Sequence, residues 1–478
     1  MMLNLFTYIH IKEYNLKIMT RKYFGTDGIR AKANTFPMTS DFVLKLGMAI
    51  AKKIKKDTKS KKHIVVIGKD TRVSCYMLES ALMAGLTAGG VNEVYLIGPI
   101  PTPGIAMLTR SMRCDLGIMI SASHNPYYDN GIKLFDSNGF KFPDTIEEEI
   151  EEIIDSEELF TDLPTEDKLG RAWRSDNYIY QQRYIEYVKS SFPKNMNLQG
   201  LRVVVDCANG ASYKVAPCVF WELGANVTKI GCEPNGININ DNCGSTKPQI
   251  LQQKVLETKA DIGIALDGDA DRIIVVDENG EVVDGDKIIA LIAKKMLNDG
   301  TLKNNTVVVT QMSNLGLELF LNNLGINVVR TKVGDRYVVE EMRKNNYNLG
   351  GEQSGHIILG DFATTGDGIC CALQVLAILK TEKEKNNNCK LSDIVNLYDT
   401  VPQKLENIRF DISKGNPLEV EEVKNYLLNC EKELEHIGRI LVRKSGTEPL
   451  LRVMVECKDE KKLDDILLKI CNKIKEYI

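Results

Sequence analysis

Short apolar runs rich in Val and Ile alternate along the chain with longer amphipathic stretches. That alternation predicts parallel sheets covered by helices. Residues 63–68 (H-I-V-V-I-G) read as a buried strand. Residues 39–56 read as a helix that opens with Ser40 or Asp41 as its cap and closes on Lys52, Lys53, Lys55 and Lys56, where cations suit the helix dipole. Strand-then-polar-turn units recur at 63–72, 201–210 and 306–314, each ending in a loop able to carry function. A second series recurs with them. D-L-G-I-M-I at 115–120 leads into a serine loop, D-I-G-I-A-L at 261–266 into an acidic loop, and N-L-G at 348–350 into G-E-Q-S. The repetition predicts three related α/β domains, each aiming the end of an equivalent strand at a shared cleft.

The series stops at residues 381–390, T-E-K-E-K-N-N-N-C-K, which read as a charged, Asn-rich linker. Beyond it, strands at 439–442 and 451–456 flank a polar loop, and a helix runs from 459 to the end. This is an α+β order of elements. The expected fold class is therefore α/β: three related α/β domains with mixed sheets plus a smaller C-terminal α+β domain around a central cleft. The expected division is an extension at 1–18, a first domain with the serine loop at 19–173, a second with the acidic loop at 174–276, a third with the G-E-Q-S loop at 277–388, and the C-terminal domain at 389–478.

Bulk properties narrow the function classes. A chain of 478 residues suits three or four domains at about 150 residues each. With 43% hydrophobic and 26% charged residues and a net charge of −4, neither disorder nor a general nucleic-acid footprint is expected. A polyanionic substrate would need a local basic pocket. The twelve cysteines are scattered without a C-x-x-C pair, which argues against a disulfide framework or a zinc site and for reduced thiols in the cytoplasm. Residues 1–18 lack the apolar core of a signal peptide and read as an upstream extension. No 18-residue apolar run predicts a membrane span.

Four loops carry candidate chemistry. In Ser121-Ala122-Ser123-His124-Asn125-Pro126, a hydroxyl at the end of a buried strand among small neighbours suits a nucleophilic or phosphoryl-carrying role. In Asp267-Gly268-Asp269-Ala270-Asp271-Arg272, carboxylates at alternate positions would be spread apart in a strand, so the segment must curl. Gly268 and Ala270 ease that curl, and three convergent carboxylates suit one hard cation. The same aspartates fall on EF-hand positions 1, 3 and 5, but Arg272 occupies the glycine position and the flanks are strand-like, which argues against calcium. In Gly350-Gly351-Glu352-Gln353-Ser354-Gly355-His356, acceptors and donors between glycines suit sugar hydroxyls. In Arg443-Lys444-Ser445-Gly446-Thr447-Glu448-Pro449, with Arg452 on the returning strand, guanidinium forks and backbone amides make a phosphate cradle.

Together and in this order, from Arg21 to the C-terminus, the loops resemble the α-D-phosphohexomutase superfamily. Phe24-Gly25-Thr26-Asp27-Gly28-Ile29-Arg30 and the Gly-Glu-Gln-Ser-Gly-His run at 351–356 are most similar to its bacterial branch acting on a hexosamine phosphate. The resemblance implies a mutase that interconverts glucosamine 6-phosphate and glucosamine 1-phosphate through a 1,6-bisphosphate, feeding UDP-N-acetylglucosamine and cell-wall precursors. The alternatives are a broad-specificity phosphoglucomutase or phosphomannomutase, or an idle phosphosugar-binding protein. It implies phosphorylated Ser123, with Asp267, Asp269 and Asp271 joining its phosphate around one Mg²⁺ per chain. Glu352 and Ser354 would meet sugar hydroxyls, and Arg443, Ser445, Gly446, Thr447 and Arg452 would hold the non-reacting phosphate. Arg30, Lys133 and His356 match positions for proton transfer or charge stabilisation, and His124, the serine's neighbour, is placed with them. Glucose or glucosamine 1,6-bisphosphate is the expected activator. The expected partner is the small phosphosugar, with no nucleic acid and no membrane, and a homodimer stays open. Cys75 and Ala31 stand where the superfamily commonly has glycine, which puts the local backbone shape in question.

Overall fold

The computed structural model describes residues 21–57, 62–174, 177–411, 415–434, 437–444 and 450–478. The expected extension at 1–18 lies outside them, as do Ser445, Gly446 and Thr447 of the fourth loop. The first sheet is built from β1 (Ile29–Lys32), β2 (Ile64–Lys69), β3 (Glu93–Pro99), β4 (Leu116–Ile120), β5 (Asp129–Asp136) and β6 (Arg171–Arg174) in the order β1-β5-β4-β2-β3-β6. The second is β11-β10-β9-β7-β8, from β7 (Arg202–Asp206), β8 (Asn226–Ile230), β9 (Ile262–Leu266), β10 (Ile273–Val276) and β11 (Val282–Val283). The third is β13-β12-β14-β15, from β12 (Thr306–Thr310), β13 (Asn327–Thr331), β14 (Leu349–Gly351) and β15 (Ile357–Leu359).

One four-strand pattern underlies all three. A central strand (β2, β7, β12) is flanked by two parallel partners, and the second partner (β4, β9, β14) turns back into an antiparallel neighbour (β5, β10, β15). The serine, aspartate and G-E-Q-S loops are the three equivalent turn-backs. Every residue of β4, β9 and β12 is buried, as expected of strands covered on both faces. One apolar core runs through all three units, from Val66 to Val395, with a second cluster on the other face of the first sheet.

The fourth unit is an antiparallel sheet, β16-β18-β17, from β16 (Gln403–Arg409), β17 (Gly438–Lys444) and β18 (Leu450–Cys457). Helices Glu421–Glu433 and Glu460–Lys475 complete it, and its core is separate. Sequence pattern anticipated β17, β18 and the last helix but missed β16, whose residues are mostly exposed and carry little periodic signal.

The linker expected at 381–390 is corrected. Residues 381–385 are the solvated end of the helix Gly368–Lys385, whose first three turns are buried in the shared core. T-E-K-E-K are mostly good helix formers, so the charge run prolonged the helix. The short helix Leu391–Val395 buries Leu391 and Val395 in that same core. By packing, the fourth unit therefore starts near Gln403 and not at 389. Likewise β11 pairs with β10, so the second sheet extends through Val283 and a division after 276 would cut a hairpin. The two glycine departures do not disturb the backbone. Cys75 begins the helix Cys75–Ala88 and Ala31 lies in β1, and neither takes a positive φ.

Candidate active site

Ser123 sits at the turn after β4, buried, with a left-handed φ of 51° that costs a non-glycine residue roughly 1–2 kcal/mol. Its surroundings over-determine that shape. The fully buried Arg72 donates to the carbonyls of Ser123 (3.0 Å) and Asn125 (2.8 Å) and to that of Pro126, while Asn240 donates to Ser123 O at 2.9 Å and Asn125 O at 3.0 Å. Asp70 holds Arg72 and accepts from Ser121 Oγ at 2.6 Å. Ser123 Oγ itself donates to Asp267 Oδ2 at 2.5 Å. The aspartate loop comes close because it has no side chain in the way: a Cβ on Gly268 would stand 2.5 Å from Ser123 O.

Asp267, Asp269 and Asp271 are buried and offer carboxylate oxygens all within 4.8 Å of one another. Burial and the neighbouring Asp271 and Asp269 charges push the Asp267 carboxyl up to about 8. The buried Oδ1 atoms of Asp269 and Asp271 have no hydrogen-bond partner. An all-oxygen donor set with orphaned buried oxygens fits a hard divalent cation, and the group can hold a metal ion. Thr102 Oγ1 orients Asp269 at 2.6 Å.

Charge around the triad is balanced by buried cations. Lys133 Nζ lies 3.0 Å from Asp269 Oδ2, 3.1 Å from Asp271 Oδ2 and 3.2 Å from Asp27 Oδ2. Burial opposes its charge, but those three carboxylates hold its pKa well above the usual lysine range. Asp27 also pairs with Arg30 and Lys141, and these cations outweigh burial to keep it well below the usual carboxylate range. His356 lies between Asp271 Oδ1, 3.6 Å from Nδ1, and Asp335 Oδ2, 3.3 Å from Nε2. Burial would lower its pKa, yet the two carboxylates raise it on balance. His124 differs: its Nδ1 is 3.5 Å from Ser123 Oγ, and burial with Arg272 and Arg30 nearby lowers its pKa to about 4, leaving it neutral near pH 7.

Glu352 and Ser354 occupy the third turn-back. Glu352 Oε1 accepts from Gly334 N at 3.1 Å and Ser354 Oγ donates to Glu352 Oε2 at 3.3 Å. Gly355 has a φ of 89° and backs onto the second unit, where a Cβ would meet Ile273 O at 1.9 Å. The third loop is thereby docked on the strand that follows the aspartates.

In the fourth unit Arg443 and Arg452 face each other across β17 and β18. Both Nε atoms are buried without a hydrogen-bond partner, and burial together with Arg452 lowers the Arg443 pKa. Like charges set directly opposite are unfavourable in a sheet, and an anion between them would relieve both.

Several residues that shape the site were not singled out from sequence. Asp27 lies inside the first motif and Arg272 directly follows the aspartates, so both could have been found there. Arg72 ends a strand-turn unit. Lys141, Asp335, Thr102 and Asn240 carry no local signal; Lys141 pairs with Asp335, Thr102 with Asp269 and Asn240 with the serine turn across different units.

The comparisons with known proteins agree with this geometry. Residues 21–160, 182–280 and 284–401 match the alpha/beta/alpha domains I, II and III of the phosphoglucomutase/phosphomannomutase family, and 405–473 match its C-terminal domain. The chain belongs to this family, the α-D-phosphohexomutases. Within it, the phosphoglucosamine mutase of Allorhizobium ampelinum is 56% identical, over 94% of this chain and 97% of that protein. Among solved structures, a phosphoglucomutase/phosphomannomutase family protein from Burkholderia thailandensis superposes with a TM-score of 0.78 at 22% identity, covering 96% of this chain and 98% of that one. An N-acetylphosphoglucosamine mutase from Aspergillus fumigatus, solved with GlcNAc-6P and magnesium, gives 0.59 at 18% identity over 96% of each chain. Among the described residues no helix is long and apolar enough to cross a membrane.

Proposed function

We propose that the chain is an isomerase that interconverts glucosamine 6-phosphate and glucosamine 1-phosphate, through a phosphate carried on Ser123 and a 1,6-bisphosphate intermediate. The observation that carries this reading is the buried Ser123 hydroxyl held 2.5 Å from the first of three convergent aspartates. Asp267, Asp269 and Asp271 would hold one Mg²⁺ per chain, which when bound supplies positive charge to the transferring phosphoryl group. Lys133 and Arg30 keep the carboxylate charge offset on the protein side, and the buried Nε atoms of Arg30 and Arg272, which make no hydrogen bond in the protein, would meet phosphate oxygens.

The Ser123 phosphoryl group passes to the sugar hydroxyl, O1 or O6, and that hydroxyl gives up its proton. Of the nearby imidazoles, His356 is the one whose carboxylate neighbours favour the charged form, so it suits a donor or electrostatic role, and neutral His124 suits an acceptor. Glu352 and Ser354 meet sugar hydroxyls. Arg443 and Arg452, with Ser445, Gly446 and Thr447, grip whichever phosphate is not reacting. After the intermediate turns over, Ser123 recovers the other phosphoryl group. Glucose or glucosamine 1,6-bisphosphate would restore phosphate to Ser123 whenever the intermediate escapes, hence its role as activator. A cytoplasmic site suits twelve free thiols, ten of them buried.

A coupled assay on phosphorylated, magnesium-loaded protein tests this. Glucosamine 6-phosphate should turn over faster than glucose or mannose phosphates, and intact mass should show one phosphate lost with Ser123→Ala. Preference for a hexose without the amine would overturn the substrate, and unmodified mass in active protein would overturn the phosphoenzyme.

A further inference from the structure

Ten of the twelve cysteines are buried; Cys218 and Cys232 alone are half-exposed. Cys218 sits beside Glu222, and burial with that carboxylate raises its pKa to about 11. Cys232 differs. It follows β8, beside Cys207, which follows the parallel partner strand β7; Asp206 and Ile230 are the last paired residues and Cys207 N donates to Ile230 O at 3.1 Å. The two cysteines therefore follow adjacent strand ends; Cys232 Sγ donates to Ile230 O at 3.3 Å, and Cys232 opens onto a cleft walled by Asn209, Glu233 and Cys243. The neighbouring Cys207 thiol lowers the Cys232 pKa, while burial raises that of Cys207. One partly exposed, activated thiol next to a buried thiol is the arrangement of an attacking and a resolving cysteine.

What lies next to this pair connects it to Ser123. Directly after Cys207, Ala208 and Asn209 both hold left-handed φ angles of 54° and 49°. Asn209 N donates to Gly231 O at 2.6 Å and Asn209 O accepts from Thr71 Oγ1, at 2.5 Å, in the first unit. Ala208 O accepts from Asn240 N at 2.9 Å, and Asn240 is the residue that holds the carbonyls of Ser123 and Asn125. Ala211 N donates to Gly268 O at 2.8 Å, in the aspartate loop. Drawing Cys207 and Cys232 into one covalent bond must shift a strained turn on which both reactive loops rest.

We propose that Cys207 and Cys232 form a reversible disulfide that shuts off the Ser123 site. A hydroperoxide oxidises the Cys232 thiolate to sulfenic acid, with one proton taken up and an alcohol, or water from hydrogen peroxide, released. The Cys207 thiol then attacks that sulfur, forming the S–S bond and releasing water. A dithiol reductant reverses the step and restores both thiols. The regulatory effect rests on the mutase reading above; the bond itself does not.

The full chain, phosphorylated and magnesium-loaded, is treated with a few equivalents of hydrogen peroxide. Non-reducing peptide mass mapping should show the Cys207–Cys232 linkage before any change at Cys218. The mutase rate should fall about 10- to 100-fold, the size of effect produced by a displacement on the order of 1 Å at a reacting centre, and should return with dithiothreitol. Hydrogen exchange at residues 121–130 should quicken on oxidation, a readout that needs no mutase activity. Cys232→Ser should keep its rate in reducing buffer and resist peroxide. Absence of the linkage in the wild-type map, a linkage that leaves both rate and exchange unchanged, or equal inactivation of Cys232→Ser would each overturn the proposal. If the reduced protein lacked mutase activity while the linkage formed and exchange quickened, the function would fail and the switch would stand.

Discussion

The serine and aspartate loops and the facing arginines of the fourth unit are built on opposite plans. Around Ser123, Lys133 is answered by three aspartates, Asp27 by three cations, and Arg72 by Asp70 and three carbonyls. These loops sit on a core shared by three units. In the fourth unit, Arg443 and Arg452 are half-buried, face each other and leave their Nε atoms without a hydrogen-bond partner, on a unit with a core of its own. That unit is tied to the third by a polar knot. Arg439 donates to Gln311 O (3.0 Å) and Ser313 O (2.6 Å), and Asn314 exchanges hydrogen bonds of 2.9 and 3.0 Å with the backbone of Val401. On the proposed function, these fixed contacts around Ser123 suit phosphoryl transfer, in which donors that need not reorganise lower the barrier. On the same reading, the unsatisfied arginines suit a substrate that presents its two phosphate positions in turn.

The comparison predicts how each side should break. The largest effect belongs to Ser123→Ala, which should reduce mutase turnover to background in the coupled assay while costing only about 1 kcal/mol in stability, the worth of one hydrogen bond, by thermal denaturation. Near-normal turnover would end the phosphoenzyme reading. Metal removal comes next: a chelator should silence the wild type and added Mg²⁺ should restore it, whereas Asp269→Asn should need far more Mg²⁺ for half-maximal rate. Chelator-resistant turnover would show that the triad's role is purely structural.

On the arginine side, Arg443→Ala or Arg452→Ala should raise KM for both phosphosugars by roughly 10- to 150-fold, corresponding to about 1.5–3 kcal/mol for a hydrogen bond to a charged group. Thermal stability of the free protein should stay level or rise slightly, since one of two facing like charges is gone. A marked fall in stability would make these arginines structural and erase the contrast.

The smallest effect concerns pH. Asp267 has its folded-state pKa raised to about 8 from the ordinary 3.8, so the folded state holds this proton more tightly than the unfolded state. Its protonated form contributes stability that is fully present below about pH 4 and is lost as pH rises through about 8. In metal-free, unphosphorylated protein, the stability of wild type relative to Asp267→Asn should therefore decline between those limits, as followed by melting temperature against pH. A difference that is flat over that window would show that the neighbouring charges do not act on Asp267 as described.

Much of this was legible in the chain because it is local. Buried strands announce themselves as Val- and Ile-rich runs, and the turn-backs at Ser123, Asp267 and Glu352 follow strands of matching pattern, so repetition disclosed three related units before any contact was known. The aspartate loop's chemistry also followed from three carboxylates at alternate positions. The charge run after Thr381 misled, because a solvated helix end and a linker have the same composition. Exposed β16 gave no periodic signal at all.

The sequence by itself determined the strands, the order of the loops and the chemical type of each, since these depend on neighbours a few residues apart. Only the tertiary structure decided that Lys133 stands between Asp27 and the aspartates, that Asp335 meets Lys141 of the first unit, that Asn240 and Arg72 hold the serine turn from two sides, and that residues 391–395 pack with the third unit. Each of these joins groups dozens to hundreds of positions apart, and the choice among partners is made by which surfaces the shared core brings into contact, a quantity that no short window of sequence contains.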